Sequence, residues 1–189
     1  MKKYSIYIVI IIGAVIIAAG ILLFKKSPTL PNNNPISESN MIIRSLGFEN
    51  KGEIPSKYTC DGENTSPVMI FSEVPKETVS LTLIGHDPDA SAKGGWTHWL
   101  IINMPPNVGR IPANGKPSQG LETVTSFGTP GYGGPCPPSG SHRYYFKLYA
   151  LDTMLDLNES ATKEDVEEAM KGHIIAEAEL MGRYQRITD

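Results

Sequence analysis

Cysteine occurs only twice in the 189 residues, so a dense disulfide scaffold is not what holds this chain together. Neither cysteine stands near the N-terminal apolar run, where a lipid could be attached. Beyond the flanks of that run there is no cluster of Lys or Arg, which argues against a broad electrostatic face for nucleic acid or for an anionic membrane surface. No Gly-x-Ser-x-Gly elbow and no His-x-x-x-His spacing occurs, so the local signatures of an α/β-hydrolase nucleophile and of a helical metal site are missing. There is also no internal repeat and no heptad pattern.

The one long apolar run is Tyr4 to Phe24, uncharged throughout and bracketed by Lys2, Lys3, Lys25 and Lys26. At ~1.5 Å per residue it extends roughly 31 Å, the thickness of a bilayer core. It exceeds the apolar core of an ordinary signal peptide, so residues 1–26 are expected to be a single membrane-spanning anchor. The free amino terminus favours N-terminus inside, which puts the rest of the chain outside the cytoplasm. Sequons at Asn64 and Asn158 are compatible with that side. Residues 27–40 (SPTLPNNNPISESN) have too few apolar side chains to bury a face and read as a tether. Residues 41–189 then form the folded domain. The chain carries 17 basic and 20 acidic residues; residues 1–40 hold four of the former and one of the latter, so the domain has 13 against 19 and a net charge of −6. Its length is enough to bury about two-thirds of the unfolded surface in one core.

Within the domain, short β-like segments at 41–46, 68–71, 79–85, 97–104 and 144–151 are separated by Pro and Gly clusters. That spacing predicts a sandwich or barrel-like β core. Val79 to Leu83 alternates apolar and polar, as a strand with one wet face does, whereas Trp99 to Ile102 is continuously apolar and reads as buried on both faces. One helix is expected after Thr162, with Asp165 completing a capping box, Val166, Ala169 and Met170 on one face and Gly172 as its stop. From Ala176 the tail fits a strand better than a helix.

Three segments carry polar groups that an apolar core would not tolerate unpaired. In His86-Asp87-Pro88-Asp89-Ala90, Pro88 restricts Asp87 to an extended backbone at a strand end; an Asx-type turn is the alternative. In Gly94-Gly95-Trp96-Thr97-His98-Trp99 a histidine enters an apolar strand, where it could equally be a satisfied core residue. The third, Gly131 to Tyr144, is too rich in Gly and Pro for a random linker: glycines allow close approach to a ligand, prolines stiffen the path, and His142 and Tyr144 share one strand face. A stiff turn without a ligand remains possible there.

DPDA at 87–90, GWTHW at 95–99 and GPCPPSGSHRYYF at 134–146, together with YTCDGENTSP at 58–67 and LYALD at 148–152, resemble the phosphatidylethanolamine-binding protein family, in particular its prokaryotic Raf-kinase-inhibitor-like subgroup. The resemblance runs from about Ile42 to Arg186. It implies a mainly β, Greek-key sandwich with one or two short peripheral helices. It also implies an anion pocket at one end lined by Asp87, His98, His142 and Tyr144 and closed by the backbone at Gly134 and Pro135. The expected ligand is a small anion or phospholipid head group, bound without a cofactor, a metal or turnover. Members that inhibit kinases or serine proteases imply a protein partner of that kind as the alternative role. Ser91 stands where the family pattern after DPDA has Pro, and the short loop that follows predicts an open rim. Cys60 and Cys136 both fall in matched segments, and a bond between them would pin the 58–67 loop to the pocket loop.

Enzyme readings are weaker. Ser139 or Ser141 with His142 and Asp87 sketches a hydrolase triad, but neighbouring strand residues face opposite ways, which separates Ser141 from His142. Cys136 with His142 would need a free thiol. Asp87, His98 and His142 could form a two-histidine, one-carboxylate metal set only if they converge. His173, after the helix stop, reads as a surface residue.

Overall fold

The structure, a computed structural model, describes residues 40–115 and 119–186. The expected anchor at 1–26, and the tether at 27–40 except its last residue, lie outside the described residues. Among the described residues no helix is long and apolar enough to cross a membrane.

Eight strands and one helix make up the described chain: β1 (Ile42–Ser45), β2 (Met69–Ser72), β3 (Ser80–Asp87), β4 (Trp96–Met104), β5 (Arg110–Ile111), β6 (Leu121–Glu122), β7 (Ser141–Leu151), α1 (Lys163–Met170) and β8 (Ile174–Gln185). A single 3-10 turn at Ser56–Tyr58 is added between β1 and β2. All strand pairs are antiparallel. One sheet has the order β1-β2-β5 and the other β6-β4-β3-β7-β8. In the larger sheet β3, β4, β6 and β7 lie side by side as β7-β3-β4-β6, the order of a Greek key, with the chain visiting β5 in the other sheet on its way from β4 to β6. Ile43, Met69, Phe71 and Ile111 of the small sheet share one buried core with Leu81, Leu83, Trp99, Ile101, Phe146 and Leu148 of the large one. The two sheets therefore form a sandwich.

The tail is a strand of 12 residues, paired with β7 from Ser141↔Gln185 to Leu151↔Ile174 with one register shift between Ala150 and Leu151. Its small and apolar even positions Ala176, Leu180, Gly182 and Tyr184 are buried, so the period of two governs where the sequence also fitted a helix. The helix forms as expected: Thr162 accepts from the Asp165 backbone while the Asp165 side chain accepts from the Thr162 backbone. Val166 and Met170 are buried, and Gly172 ends the turn at φ +80°.

One expectation fails. The 79–83 segment has no wet face: Ser80 and Thr82 are as fully buried as Leu81 and Leu83, and Val79 is 46% exposed. The reason is a second apolar layer. Leu155, Ala161, Val166 and Met170 from the segment after β7 and from α1 pack with Ile84, Leu100, Ile102 and Leu151 on the outer face of the large sheet. β3, being central, is thus covered on both sides, and alternation reports a wet face only where nothing covers it. The continuous apolar run of β4 is buried on both faces, as its pattern predicts.

Candidate functional site

β3 runs out on Asp87, and Pro88 restricts its backbone there. The carboxylate is 3% exposed. Its Oδ1 accepts from the backbone N–H groups of Asp89 (2.8 Å) and Ala90 (3.1 Å), and its Oδ2 accepts from Nδ1 of His142 at 2.8 Å. The Asx-type turn and the site residue are therefore the same group. Two residues on, Asp89 is gripped by Arg143, which donates its backbone N–H and Nε to Oδ2 (2.9 Å each) and Nη2 to Oδ1 (2.6 Å). These bonds pull the Asp89 pKa down to about 2, with burial opposing. The alternation of β7 sends His142 inward and Arg143 outward, so one dipeptide fastens both carboxylates of the 87–90 turn.

His98 reaches the same place by a different device. Gly85 pairs with Trp99 and His86 with Thr97, which leaves His98 as the extra residue of a β-bulge. A bulge re-aims a side chain that strict alternation would send elsewhere. The ring is then locked by a reciprocal pair of bonds to Gly133: His98 Nδ1 donates to the Gly133 carbonyl at 2.7 Å, and the Gly133 N–H donates to the His98 carbonyl at 2.8 Å. The Phe127 ring packs over Gly133, 2.2 Å from where a Cβ would stand, so any larger residue there would displace that ring. Burial lowers the His98 pKa from 6.5, the Gly133 carbonyl and Asp87 partly offsetting it.

His142 and Tyr144 point the same way from β7. Their rings stack at 6.5 Å, and His98 meets Tyr144 edge-on at 5.2 Å. The Tyr144 hydroxyl is buried and makes no hydrogen bond among the described residues. The Asp87 carboxylate and, in the opposite sense, the Cys136 backbone both act on it. Burial, reinforced by the Asp87 charge, holds the Tyr144 phenol well above its usual pKa.

Asp87, His98, His142 and Tyr144 converge on a cavity of about 260 Å³. Trp96, Phe127, Pro137 and Pro138 are part of its apolar wall, and Ser91 belongs to its lining. Phe127 is 47% exposed and touches both Trp96 and His98 edge-on. Among the described residues no Lys or Arg lines the cavity.

Gly134 and Pro135 are not in that lining. Gly134 donates its N–H to Asn64 Oδ1 at 2.8 Å, and the Pro135 carbonyl accepts from the Cys60 N–H at 3.1 Å. A Cβ on Gly134 would come within 2.4 Å of the Tyr58 carbonyl oxygen. The glycine is thus needed for contact with the 58–64 loop behind the wall, and the wall itself begins two residues later, at Cys136. Cys136, part of it, is bonded to Cys60 with Cα atoms 5.4 Å apart, the pairing expected in an oxidising compartment rather than two free thiols. That bond removes the thiol a Cys136–His142 nucleophile would need. Ser139 and Ser141 do not line the cavity, Ser141 facing a groove with Arg183 and Arg186 instead. Among the described residues no three His, Cys, Asp or Glu side chains are disposed to hold a metal ion. His173 pairs with Asp152 at 2.8 Å on the surface, away from the cavity.

Asp89, Arg143, Phe127 and Trp96 were not singled out by sequence. The signal for the first two was the acidic residue two positions after Asp87 and the basic one directly after His142. Phe127 stands in a segment without periodicity and carried none.

The family model for phosphatidylethanolamine-binding protein matches residues 44–185. A UPF0098 protein of Methanothermobacter thermautotrophicus is 52% identical over 151 residues, covering 77% of this chain and 99% of its own. Among solved structures, a chain from Chlamydia trachomatis described as a phosphatidylethanolamine-binding protein homologue superposes with a TM-score of 0.75 at 42% identity, over 79% of this chain and 99% of that one. Escherichia coli YbcL, described as a new member of the mammalian PEBP family, gives a TM-score of 0.74 at 29% identity, over 78% and 99%.

Proposed function

Since the chain belongs to the phosphatidylethanolamine-binding protein family, we propose that its cavity binds a small phosphate-bearing anion and does not convert it. The observation that carries this reading is the Tyr144 hydroxyl, buried without a partner beside two histidines whose Nδ1 atoms are tied back to the protein. A buried unpartnered donor costs free energy unless something arrives to accept from it. The rings of His98 and His142 line the same cavity; an oxyanion accepts from the Tyr144 O–H and, where a ring is charged, from its Nε2–H. The aromatic pair Trp96 and Phe127 at the mouth suits an attached ammonium group by cation–π attraction. Binding without turnover is supported by the absence of a free thiol at Cys136 and of Ser139 and Ser141 from the lining.

The apolar run at 4–24 adds a location: the domain works while held at a membrane, outside the cytoplasm, where its disulfide persists. The test is titration of the full chain with inorganic phosphate and with phosphorylethanolamine, followed by NMR. Shifts at His98, His142 and Tyr144, with an unchanged phosphorus spectrum over hours, are expected. Silence at all three residues removes the reading, and release of product removes its non-catalytic part.

A further inference from the structure

We infer that the outer face of the small sheet, β1-β2-β5, is a docking surface for the anionic head groups of a bilayer, on which the domain rests with its cavity uncovered. The inference rests on the membrane-held reading above and goes beyond it by naming the face that meets the lipid. The two sheets differ in what lies outside them. α1 and the segment before it cover the outer face of the large sheet. On the small sheet Ile43, Met69, Phe71 and Ile111 point into the core, and neither apolar cluster includes the side chains that alternate with them. Register sets those outward residues side by side. Ile42 pairs with Ser72, Arg44 with Ile70, and Ile70 with Arg110, and cross-strand partners share a face. Arg44 and Arg110 thus flank Ile70, about 10 Å apart at two strand spacings. Ile42 is 41% exposed, and Leu46, just past β1 and bonded through its N–H to the Val68 carbonyl, is 72% exposed. Among the described residues neither arginine belongs to an ion pair. The three strands contain no carboxylate, the first in sequence being Glu73 directly after β2. In a domain of net charge −6, this face is cationic and apolar.

Where the chain enters the domain decides the occupant. The described residues begin at Asn40, two positions before β1, so the chain that carries the apolar run at 4–24 joins the domain on the small sheet. A segment as long as residues 27–39 reaches roughly 20 Å, about half of the roughly 40 Å across a domain of this length. The sheet that receives it is therefore kept within reach of the bilayer. Two arginines and a few apolar side chains bind a free vesicle weakly, each cation giving roughly a fivefold gain near an anionic surface. An anchor makes that weak contact intramolecular, and a weak contact then suffices. None of the residues lining the cavity comes from β1, β2 or β5, so its mouth stays open while the face is occupied.

The test reconstitutes the full chain into phosphatidylcholine vesicles containing about one quarter phosphatidylglycerol, the anionic lipid carrying a photoactivated diazirine on its head group. Adducts are mapped by mass spectrometry. Peptides covering 42–46 and 108–111 should carry at least fivefold more adduct than peptides covering 141–151. Arg44→Gln with Arg110→Gln, two exposed positions, should bring the two sets to within twofold, and about 1 M salt should do the same to the native chain without a mutation. An even distribution of adducts in the native chain overturns the inference and leaves the anchor standing. A fivefold preference that survives both the double variant and high salt overturns the assignment to the arginines and the anionic head groups. If the chain is not retained on the vesicles, the membrane-held reading falls and takes this one with it.

Discussion

Replacing Tyr144 by Phe should stabilise the empty protein while weakening ligand binding, two effects of opposite sign from one oxygen atom. The hydroxyl is buried with no hydrogen bond among the described residues, and an unmet buried donor costs about 1–3 kcal/mol. The Asp87 carboxylate beside it relieves part of that cost, so the gain on deletion should sit near the lower end, ~1 kcal/mol. The ring contacts to His98 at 5.2 Å and His142 at 6.5 Å are kept by Phe, so no cavity term opposes the gain. For a chain of this size 1 kcal/mol corresponds to a Tm rise of about 2–4 °C. With a phosphate in place the same hydroxyl donates to a charged acceptor, worth roughly 1.5–3 kcal/mol, and its removal should weaken binding by about 10- to 100-fold. Calorimetric melting of the full chain, without ligand and with phosphorylethanolamine, reads both signs. A fall in the Tm of the empty variant would mean that the hydroxyl has a partner in the resting protein, and an unchanged affinity would mean that it never meets the ligand; either result refutes the reasoning.

Exchanging both cysteines, Cys60→Ser with Cys136→Ser, opens a loop spanning a sequence separation of 76; chain-entropy reasoning gives a loss of roughly 4 kcal/mol and a Tm lower by about 10 °C, so a drop under about 3 °C in a melting scan would show that the bonds from Tyr132 to Tyr58 and from Gly134 to Asn64 hold the loops alone. Asp89→Asn should destabilise the chain at pH 5–7, and because the folded pKa of Asp89 is depressed from 3.8 to about 2, its stabilising contribution is present above about 3.8 and lost as pH falls through 2; a urea midpoint that matches the native chain's at pH 6 counts against the clamp. His98 and His86 both have pKa values lowered from 6.5, chiefly by burial, with Lys163 adding to the effect on His86 against Glu164, Glu167 and Asp87. The unfolded chain therefore protonates them first, stability should fall as pH drops below 6.5, and a Tm flat between pH 7.5 and 5.5 would contradict this.

The elements that were legible in the sequence are those whose signal is local. The capping box at Thr162 and Asp165 is three residues long and needs no knowledge of the rest of the chain, and the period of two in 176–184 is set by the pleat itself. The burial of Ser80 and Thr82 was not legible, because what covers them is a layer from residues 155–170 whose docking leaves no mark in residues 79–83. The wall of the cavity was misplaced by two residues for a similar reason. Gly134 and Pro135 advertise close approach and stiffness, but composition does not say which of two neighbours is approached, and they face the 58–64 loop rather than the cavity.

His98 shows where the site itself lies beyond pattern reading. Strict alternation along Trp96 to Met104 would give His98 and Trp99 opposite faces, so a reader who assigns Trp99 to the core must send the histidine away from it. The register slip between Gly85 and His86 cancels that alternation: Trp99 joins the core between the sheets, and His98, one residue earlier, turns to Tyr144, a residue of the same core. The bulge is a property of the pairing between β3 and β4, not of either strand alone, and no residue within Trp96–Trp99 announces it. Yet without it the cavity would keep Asp87, His142 and Tyr144 and lose His98. The one-residue slip is thus the step that adds a ring from β4 to a strand-end carboxylate and two rings of β7 around one cavity.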